Sequence, residues 1–336
     1  MALFDLPLAA LREYRPELDE PEDFAQFWDS HLAAAREYEP VLACDRVETD
    51  LAVFETWDLT FSGDGGHPIR GWYMRPAGRA EQKLPAVVEF AGYGRGRGRP
   101  LERLTWAAAG YAHLIMDTRG QGSQHGTGGD TPDPVGSDVS FPGFMTRGIL
   151  NPHTYYYRRL MIDAVRAIDA VRALPGIDPA AVSAVGGSQG GGMAIAVAGL
   201  VPDLAAVIAN VPFLSHFRRA LEITDADPYA ELVRYLSVHR TNEEQVFNTL
   251  AYVDAVHLAR RGRAPALFSV GLRDMVCPPS TVYAAFNRYG ELARTDAGTG
   301  ASDEVDKEMI VYPWNHHEGG DALQTERGLR WLKQRI

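Results

Sequence analysis

Cysteine, excess positive charge and long apolar runs are what this chain has least of. Two cysteines occur, Cys44 and Cys277, too few for a framework of disulfides and suited to a reducing compartment. Lysine and arginine number 33 against 44 acidic residues, a net charge of −11, so a nucleic acid would meet a mostly negative field. Apolar runs such as residues 193–201 are too short to cross a bilayer. The first residues, Met1-Ala2-Leu3-Phe4-Asp5-Leu6-Pro7, lack the basic start, apolar core and cleavage site of a secretory leader. The expectation is a cytoplasmic protein with neither membrane nor nucleic acid as partner. One segment runs against the charge argument. Gly94-Arg95-Gly96-Arg97-Gly98-Arg99 alternates like a short RNA-binding stretch, but it closely follows a strand pattern and reads as a mobile loop.

What is present is ordinary globular composition, 46% hydrophobic and 23% charged over 336 residues, without repeats or a separating linker. A single domain is expected over 1–336, opening with an N-terminal arm over 1–40. Phe24, Phe27, Trp28 and Leu32 recur at three- and four-residue spacings, which predicts a helix over 21–36 behind an acidic start. Alternating stretches at 54–61 and 69–74, joined through Ser62-Gly63-Asp64-Gly65-Gly66, predict an antiparallel beginning to a sheet. Short apolar runs follow at 84–90, 112–116, 181–185, 204–209, 264–270 and 308–312, with helical patterns between most of them. The clearest of those helices are 154–174 and 322–336. Strands buried on both faces and alternating with helices mean an α/β fold with a doubly wound, mostly parallel sheet.

Two segments break the rhythm. Residues 118–152 form a long loop rich in Gly, Pro, Asp and Thr, which suggests function or contact with a partner. Residues 213–260 read as three helices, 213–221, 229–238 and 242–259, inserted where they would cap the sheet's functional edge; extra packing is the alternative.

Gly186-Gly187-Ser188-Gln189-Gly190 matches G-x-S-x-G, which puts a serine on a sharp strand-to-helix turn between small residues. A chain with 33 glycines could match by chance, so the setting carries the inference. A strand pattern precedes it and the small-residue helix 191–200 follows. A phosphate loop fits worse, because neither G-x-x-x-x-G-K-[ST] nor G-x-G-x-x-G occurs there. A serine nucleophile needs a base and an orienting acid, which in this fold follow in the order serine, acid, histidine.

His239 and His257 lie in the expected cap helices, whereas His316-His317-Glu318 follows the last strand; of the adjacent pair only one can face Ser188. A metal reading of His-His-Glu is disfavoured, since H-E-x-x-H is absent and adjacent histidines chelate poorly. No cofactor is expected. Asp274, just past the 264–270 strand, is the candidate acid, and Asp225, Asp227 and Asp254 read as helix caps or solvated charges. Backbone N–H donors for an oxyanion are expected from Gln189 and from Tyr93, whose ring would be free to line the site.

The set of motifs resembles carbohydrate esterase family seven, the acetyl xylan esterases and cephalosporin C deacetylases of the α/β-hydrolase superfamily, essentially end to end. Phe4-Asp5-Leu6-Pro7 with Tyr14-Arg15-Pro16, Arg119-Gly120-Gln121-Gly122, Gly186-Gly187-Ser188-Gln189-Gly190 and His317-Glu318 carry the likeness. So do Gly143-Phe144-Met145-Thr146-Arg147-Gly148-Ile149-Leu150 and Thr154-Tyr155-Tyr156-Tyr157-Arg158. The resemblance implies Ser188, Asp274 and His317 as the catalytic set, choosing His317 over His316, with Tyr93 and Gln189 as oxyanion donors. It implies that Arg119 and Gln121 brace the active-site loops, and that Pro228 lies near the acyl pocket. It further implies small acetylated substrates and a homo-oligomer, a cytoplasmic hexamer with active sites facing an enclosed interior and loop 118–152 as an interface. Two departures stand out: Ser123-Gln124-His125 replaces a stretch where relatives often have Gly and Trp, and residues 292–306 form a polar insertion. A serine peptidase of the same fold, or a member that binds without catalysis, are the rival readings.

Overall fold

The computed structural model describes residues 3–79, 81–135, 139–293 and 305–336. Nine strands form one sheet: β1 Val41–Val47, β2 Phe54–Ser62, β3 Pro68–Pro76, β4 Leu84–Phe90, β5 Ala112–Met116, β6 Ile177–Gly187, β7 Ala206–Asn210, β8 Ala266–Gly271 and β9 Lys307–Tyr312. Helices α1 Leu8–Glu13 and α2 Phe24–Arg36 precede the sheet, α3 Thr105–Ala108 lies between β4 and β5, and α4 Tyr156–Ala173 leads into β6. Helix α5 Gln189–Leu200 follows β6. The insertion after β7 carries α6 Phe217–Ile223, α7 Tyr229–Val238, α8 Glu243–Ala251 and α9 Ala255–Ala259, and α10 Pro279–Arg288 and α11 Asp321–Lys333 complete the chain.

The strand order is β1-β2-β3-β5-β4-β6-β7-β8-β9. Pairing is antiparallel from β1 through β3 to β5 and parallel from β5 through β4 to β9. The mostly parallel α/β sheet expected from the alternating pattern is present, in the α/β-hydrolase architecture that the family resemblance implied. Strand β1 went unpredicted because its exposed edge position leaves it little apolar alternation. Successive side chains feed opposite cores: Val88 and Ala184 join the large core under α4, α5 and the inserted helices, whereas Val87 and Val185 meet Trp106 of α3 and Trp331 of α11. On α2 the predicted stripe is buried, with Phe24, Phe27, Trp28 and Leu32 all at most 5% exposed. Each contributes about 1.5–3 kcal/mol by leaving water.

Two local expectations are corrected. The predicted helix over 242–259 is two helices, because Asp254 takes an extended conformation to cap α9. Its carboxylate accepts from Val256 N at 2.9 Å and also from His216 N at 2.9 Å and Phe217 N at 3.1 Å, satisfying the start of α6 as well. The Gly-Arg segment is not a loose loop around Arg97. That guanidinium is 1% exposed, pairs with Asp58 and Asp130 at 2.7 and 2.8 Å, and lies 3.8 Å over the Trp72 ring. Alternating Gly and Arg gave no sign of such buried partners. Most of the 292–306 insertion lies outside the described residues.

The chain leaves β4 toward β5 on one side, while β6 pairs with β4 on the other. Such reversals open a crevice at the carboxyl ends of the strands, where ligands of open α/β sheets bind. Ser188 follows β6 at that point.

Candidate active site

Ser188 links β6 to α5 with φ 58° and ψ −121°, a conformation that costs a non-glycine residue about 1–3 kcal/mol. The surroundings fix it: its N–H donates to Asn210 O at 2.9 Å, and its carbonyl accepts from Gly192 N and Phe213 N at 3.0 and 2.9 Å. The flanking glycines are required by close approach. A Cβ on Gly190 would lie 2.0 Å from Phe90 O, and one on Gly186 would lie 2.2 Å from Gly190 backbone. The elbow thus presents its hydroxyl outward because strand, turn and helix cross without side chains between them.

Three strand ends then converge. Asp274 follows β8 on a turn closed by its own N–H to Gly271 O at 3.2 Å, and its carboxylate is 0% exposed. One carboxylate oxygen accepts from Val276 N and Cys277 N at 2.8 and 2.9 Å, which aims the other at His317 Nδ1, 2.8 Å away. His317 Nε2 lies 2.9 Å from Ser188 Oγ. His316 points elsewhere, with its Nδ1 2.9 Å from Arg273 O. Glu318 clamps this loop by accepting from Asn315 Nδ2 at 2.6 Å and His316 N at 3.1 Å. An imidazole bonded to a buried carboxylate on one nitrogen and to a serine hydroxyl on the other can accept the hydroxyl proton and be stabilised once charged.

The buried Cys277 thiol also bonds the Ser188 hydroxyl. Burial and then the Asp274 carboxylate push the thiol well above its usual range, so it stays protonated and is no rival nucleophile. Asp274, Cys277 and His317 bring their ligand atoms within 4.8 Å of one another. A metal ion there would have to break the Asp274–His317 bond that orients the imidazole.

The loop after β4 covers the elbow. Gln121 Oε1 accepts from Gly94 N at 2.7 Å, and Gln121 Nε2 donates to Tyr156 OH and to Gln189 Oε1, both at 3.0 Å. Gln189 Nε2 reaches Ala91 O at 3.3 Å, and its Oε1 accepts from Tyr157 OH at 3.0 Å. The Tyr93 and Gln189 backbone N–H groups donate no hydrogen bond among the described residues. Arg119 turns away from the site into a bidentate pair with Asp163 at 2.5 and 2.6 Å, both groups 0% exposed, and Tyr156 OH donates to Arg119 O at 2.6 Å. Gly120 and Gly122 adopt φ of 68° and 108°, the bends that turn Arg119 inward and Gln121 toward the elbow.

The expectation of a free Tyr93 ring is corrected. Its hydroxyl donates to the Glu231 carboxylate and accepts from Phe144 N at 2.8 Å, while the ring packs edge-on against Phe144 and Phe213. Glu231, 4% exposed, also accepts from Phe144 N and Met145 N, each at 3.1 Å. Nothing in the sequence singled it out, because an acid in a helix's first turn is commonplace. Pro228 is buried just before α7 and is absent from the lining of the cavity that holds Ser188 and His317. Gln124 and His125 are exposed, with their N–H groups on Gly94 O. No helix among the described residues is long and apolar enough to cross a membrane.

Comparison with known proteins places this geometry in context. The acetyl xylan esterase (AXE1) family profile matches residues 1–335. Acetyl esterase Axe7A of Xylanibacter ruminicola is 29% identical over 331 residues, which cover 96% of this chain and 69% of that protein. The structure is similar to the acetyl xylan esterase from Paenibacillus sp. R4, with a TM-score of 0.89 and 36% identity over 98% of this chain and all (100%) of that one. Acetyl xylan esterase 1 from Thermoanaerobacterium sp. JW/SL YS485 gives 0.87 and 31%, over 99% of this chain and 100% of that one.

Proposed function

The chain belongs to the acetyl xylan esterase family, carbohydrate esterase family seven, and is a carboxylic ester hydrolase; from that premise we propose how it works and on what. Ser188 is the nucleophile, His317 the general base and acid, and Asp274 the residue that orients and stabilises His317. The observation that carries this reading is the hydrogen-bonded chain Asp274–His317–Ser188 at the carboxyl edge of the sheet. As Ser188 Oγ attacks the acetyl carbonyl, its proton passes to His317 Nε2. The oxyanion settles between the Tyr93 and Gln189 N–H groups. His317 returns the proton to the departing alcohol oxygen, leaving acetyl-Ser188. Water then attacks with His317 again as base, and acetate leaves with Ser188 restored.

The substrates proposed are short acetylated xylo-oligosaccharides and other small acetyl esters, cephalosporin C-like compounds included. The match over nearly the whole chain with proteins named as acetyl xylan esterases supports the first. A cytoplasmic homo-oligomer, specifically a hexamer, is proposed on the family likeness, with loop 118–152 at the subunit contact and Pro228 near the acyl pocket.

The test is burst kinetics with p-nitrophenyl acetate. Ser188→Ala is expected to lose the burst and to lower kcat on the order of 10⁶-fold. Acetyl esters are expected to turn over faster than butyryl and longer ones. Retention of turnover in Ser188→Ala would overturn the assignment, and equal rates across acyl chains would overturn the preference for acetyl.

A further inference from the structure

The geometry points to the polar cleft between α3 and α11 as the site that binds the sugar of the leaving alcohol, through Glu89, Arg103 and Asn210 with Trp106 as its wall. This rests on the esterase reading above and adds to it where the alcohol lies. The cavity at Ser188, about 330 Å³, shares Glu89, Arg103, Gly187, Asn210, Gln324 and Thr325 with a second cavity of about 180 Å³. The two form one cleft that runs from the serine to Trp106 and Gly328.

Position follows from proton transfer. His317 must hand its proton to the leaving oxygen, so the alcohol has to sit against the wall that His317 lines. That wall belongs to the cleft. Phe213 and Cys277, with the inward residues of the inserted helices, are buried in the large core.

The chemistry suits a neutral polyhydroxy ligand. Glu89 holds Arg103 Nη1 at 3.0 Å and lies 3.0 Å from His113 Nε2. Burial would raise its pKa, but hydrogen bonding and charge from His113 and then Arg103 outweigh it and keep the carboxyl below the ordinary range. It is therefore an anionic acceptor whose charge is already matched. Arg103 Nε is buried without a partner among the described residues. Asn210 lines both cavities; its side-chain oxygen accepts from Ser269 Oγ at 3.2 Å and Gln324 Nε2 at 2.9 Å, and its amide nitrogen has no partner among the described residues. An apolar alcohol would leave those donors unsatisfied, and an ion would compete with the Glu89–Arg103 pair. Hydroxyl groups, each donor and acceptor, satisfy both kinds of partner. At its inner end the cleft is closed by Trp106, which is 7% exposed and packs beside Gly328: a Cβ there would come 3.9 Å from the ring.

Two variants test this. Arg103→Gln removes cleft donors. Gly328→Leu fills the cleft from a helix position where the added Cβ meets nothing nearer than 3.4 Å, and its urea midpoint checks that the fold is kept. Each is expected to raise KM for acetylated xylobiose about tenfold or more, while kcat/KM for p-nitrophenyl acetate falls less than about threefold. Free xylobiose is expected to compete with p-nitrophenyl acetate in the wild type, and about tenfold more weakly in the variants. Equal losses on the two esters, no competition by xylobiose, or a wild type that cleaves only the nitrophenyl ester would each overturn the subsite. The esterase reading is judged separately, by whether p-nitrophenyl acetate turnover disappears in Ser188→Ala.

Discussion

The elbow at Ser188 and the brace behind Tyr93 hold the same site by different means. At the elbow, backbone does the positioning: a strained serine, two glycines at close approach and tight turns after β8 and β9. In the brace, buried polar side chains do it across long stretches of chain. Arg119 and Asp163 are 44 residues apart, Gln121 and Gln189 are 68 apart, and Tyr93 and Glu231 are 138 apart. The Ser188 hydroxyl and the His317 ring are thus set by local geometry that tolerates almost no added volume. The loop that offers the Tyr93 N–H is set by remote partners, each of which can be removed singly.

The sharpest way to break this contrast is Gly190→Ala. Its methyl would sit 2.0 Å from Phe90 O, a backbone atom that cannot step aside without shifting β4. The expectation is a loss of about 4 kcal/mol in urea unfolding and at least ~10²-fold in kcat for the folded fraction. Survival of both would show that the elbow is less tightly crossed than its geometry demands. Arg119→Met comes next. It strands the buried Asp163 carboxylate and should cost about 3 kcal/mol, while Arg119→Met with Asp163→Leu recovers to within about 1 kcal/mol because no uncompensated charge remains. Thermal or urea unfolding of the single and double variants checks this. Failure of the double variant to recover would mean that the ion pair does more than hold the loop.

The same contrast explains what could be read in the sequence. Strands β4 and β5 match their predicted bounds because buried parallel strands are short unbroken apolar runs. Ser188, Asp274 and the pair His316-His317 were legible because each follows such a run through a turn, in an order set by the topology; the choice of His317 came from the family resemblance. Arg119 and Gln121 were visible only as a motif, with no sign that Asp163, in the middle of α4, would be the arginine's partner. Glu231 was invisible, since its role depends on Tyr93, Phe144 and Met145 folding back to it. The Arg97 segment misled for a like reason. Glycine and arginine say loop, whereas Asp58 and Asp130, both far off in sequence, say otherwise. Pairwise burial of polar groups leaves no periodicity to detect.

The mildest expected effects lie at Tyr93 and Glu231, and they carry a pH signature that the elbow lacks. Burial raises the Glu231 pKa above the usual carboxylate range, while the Tyr93 hydroxyl, donating to it, pulls the other way. A carboxyl whose folded pKa lies above its unfolded value contributes stability that is present at low pH and lost as pH rises through the folded pKa. Glu231→Gln cannot ionise and loses that dependence. The stability of the wild type relative to Glu231→Gln should therefore fall as pH rises from acid to neutral. Tyr93→Phe should cost about 2 kcal/mol by removing two buried hydrogen bonds, one donated to Glu231 and one accepted from Phe144 N. It should also steepen the pH dependence, because the bond that favoured the anion is gone. Urea midpoints for the three proteins at acid and neutral pH decide it. Parallel curves would mean that Glu231 titrates as it does in the unfolded chain, and that the brace holds Tyr93 by packing against Phe144 and Phe213 rather than through its buried carboxylate.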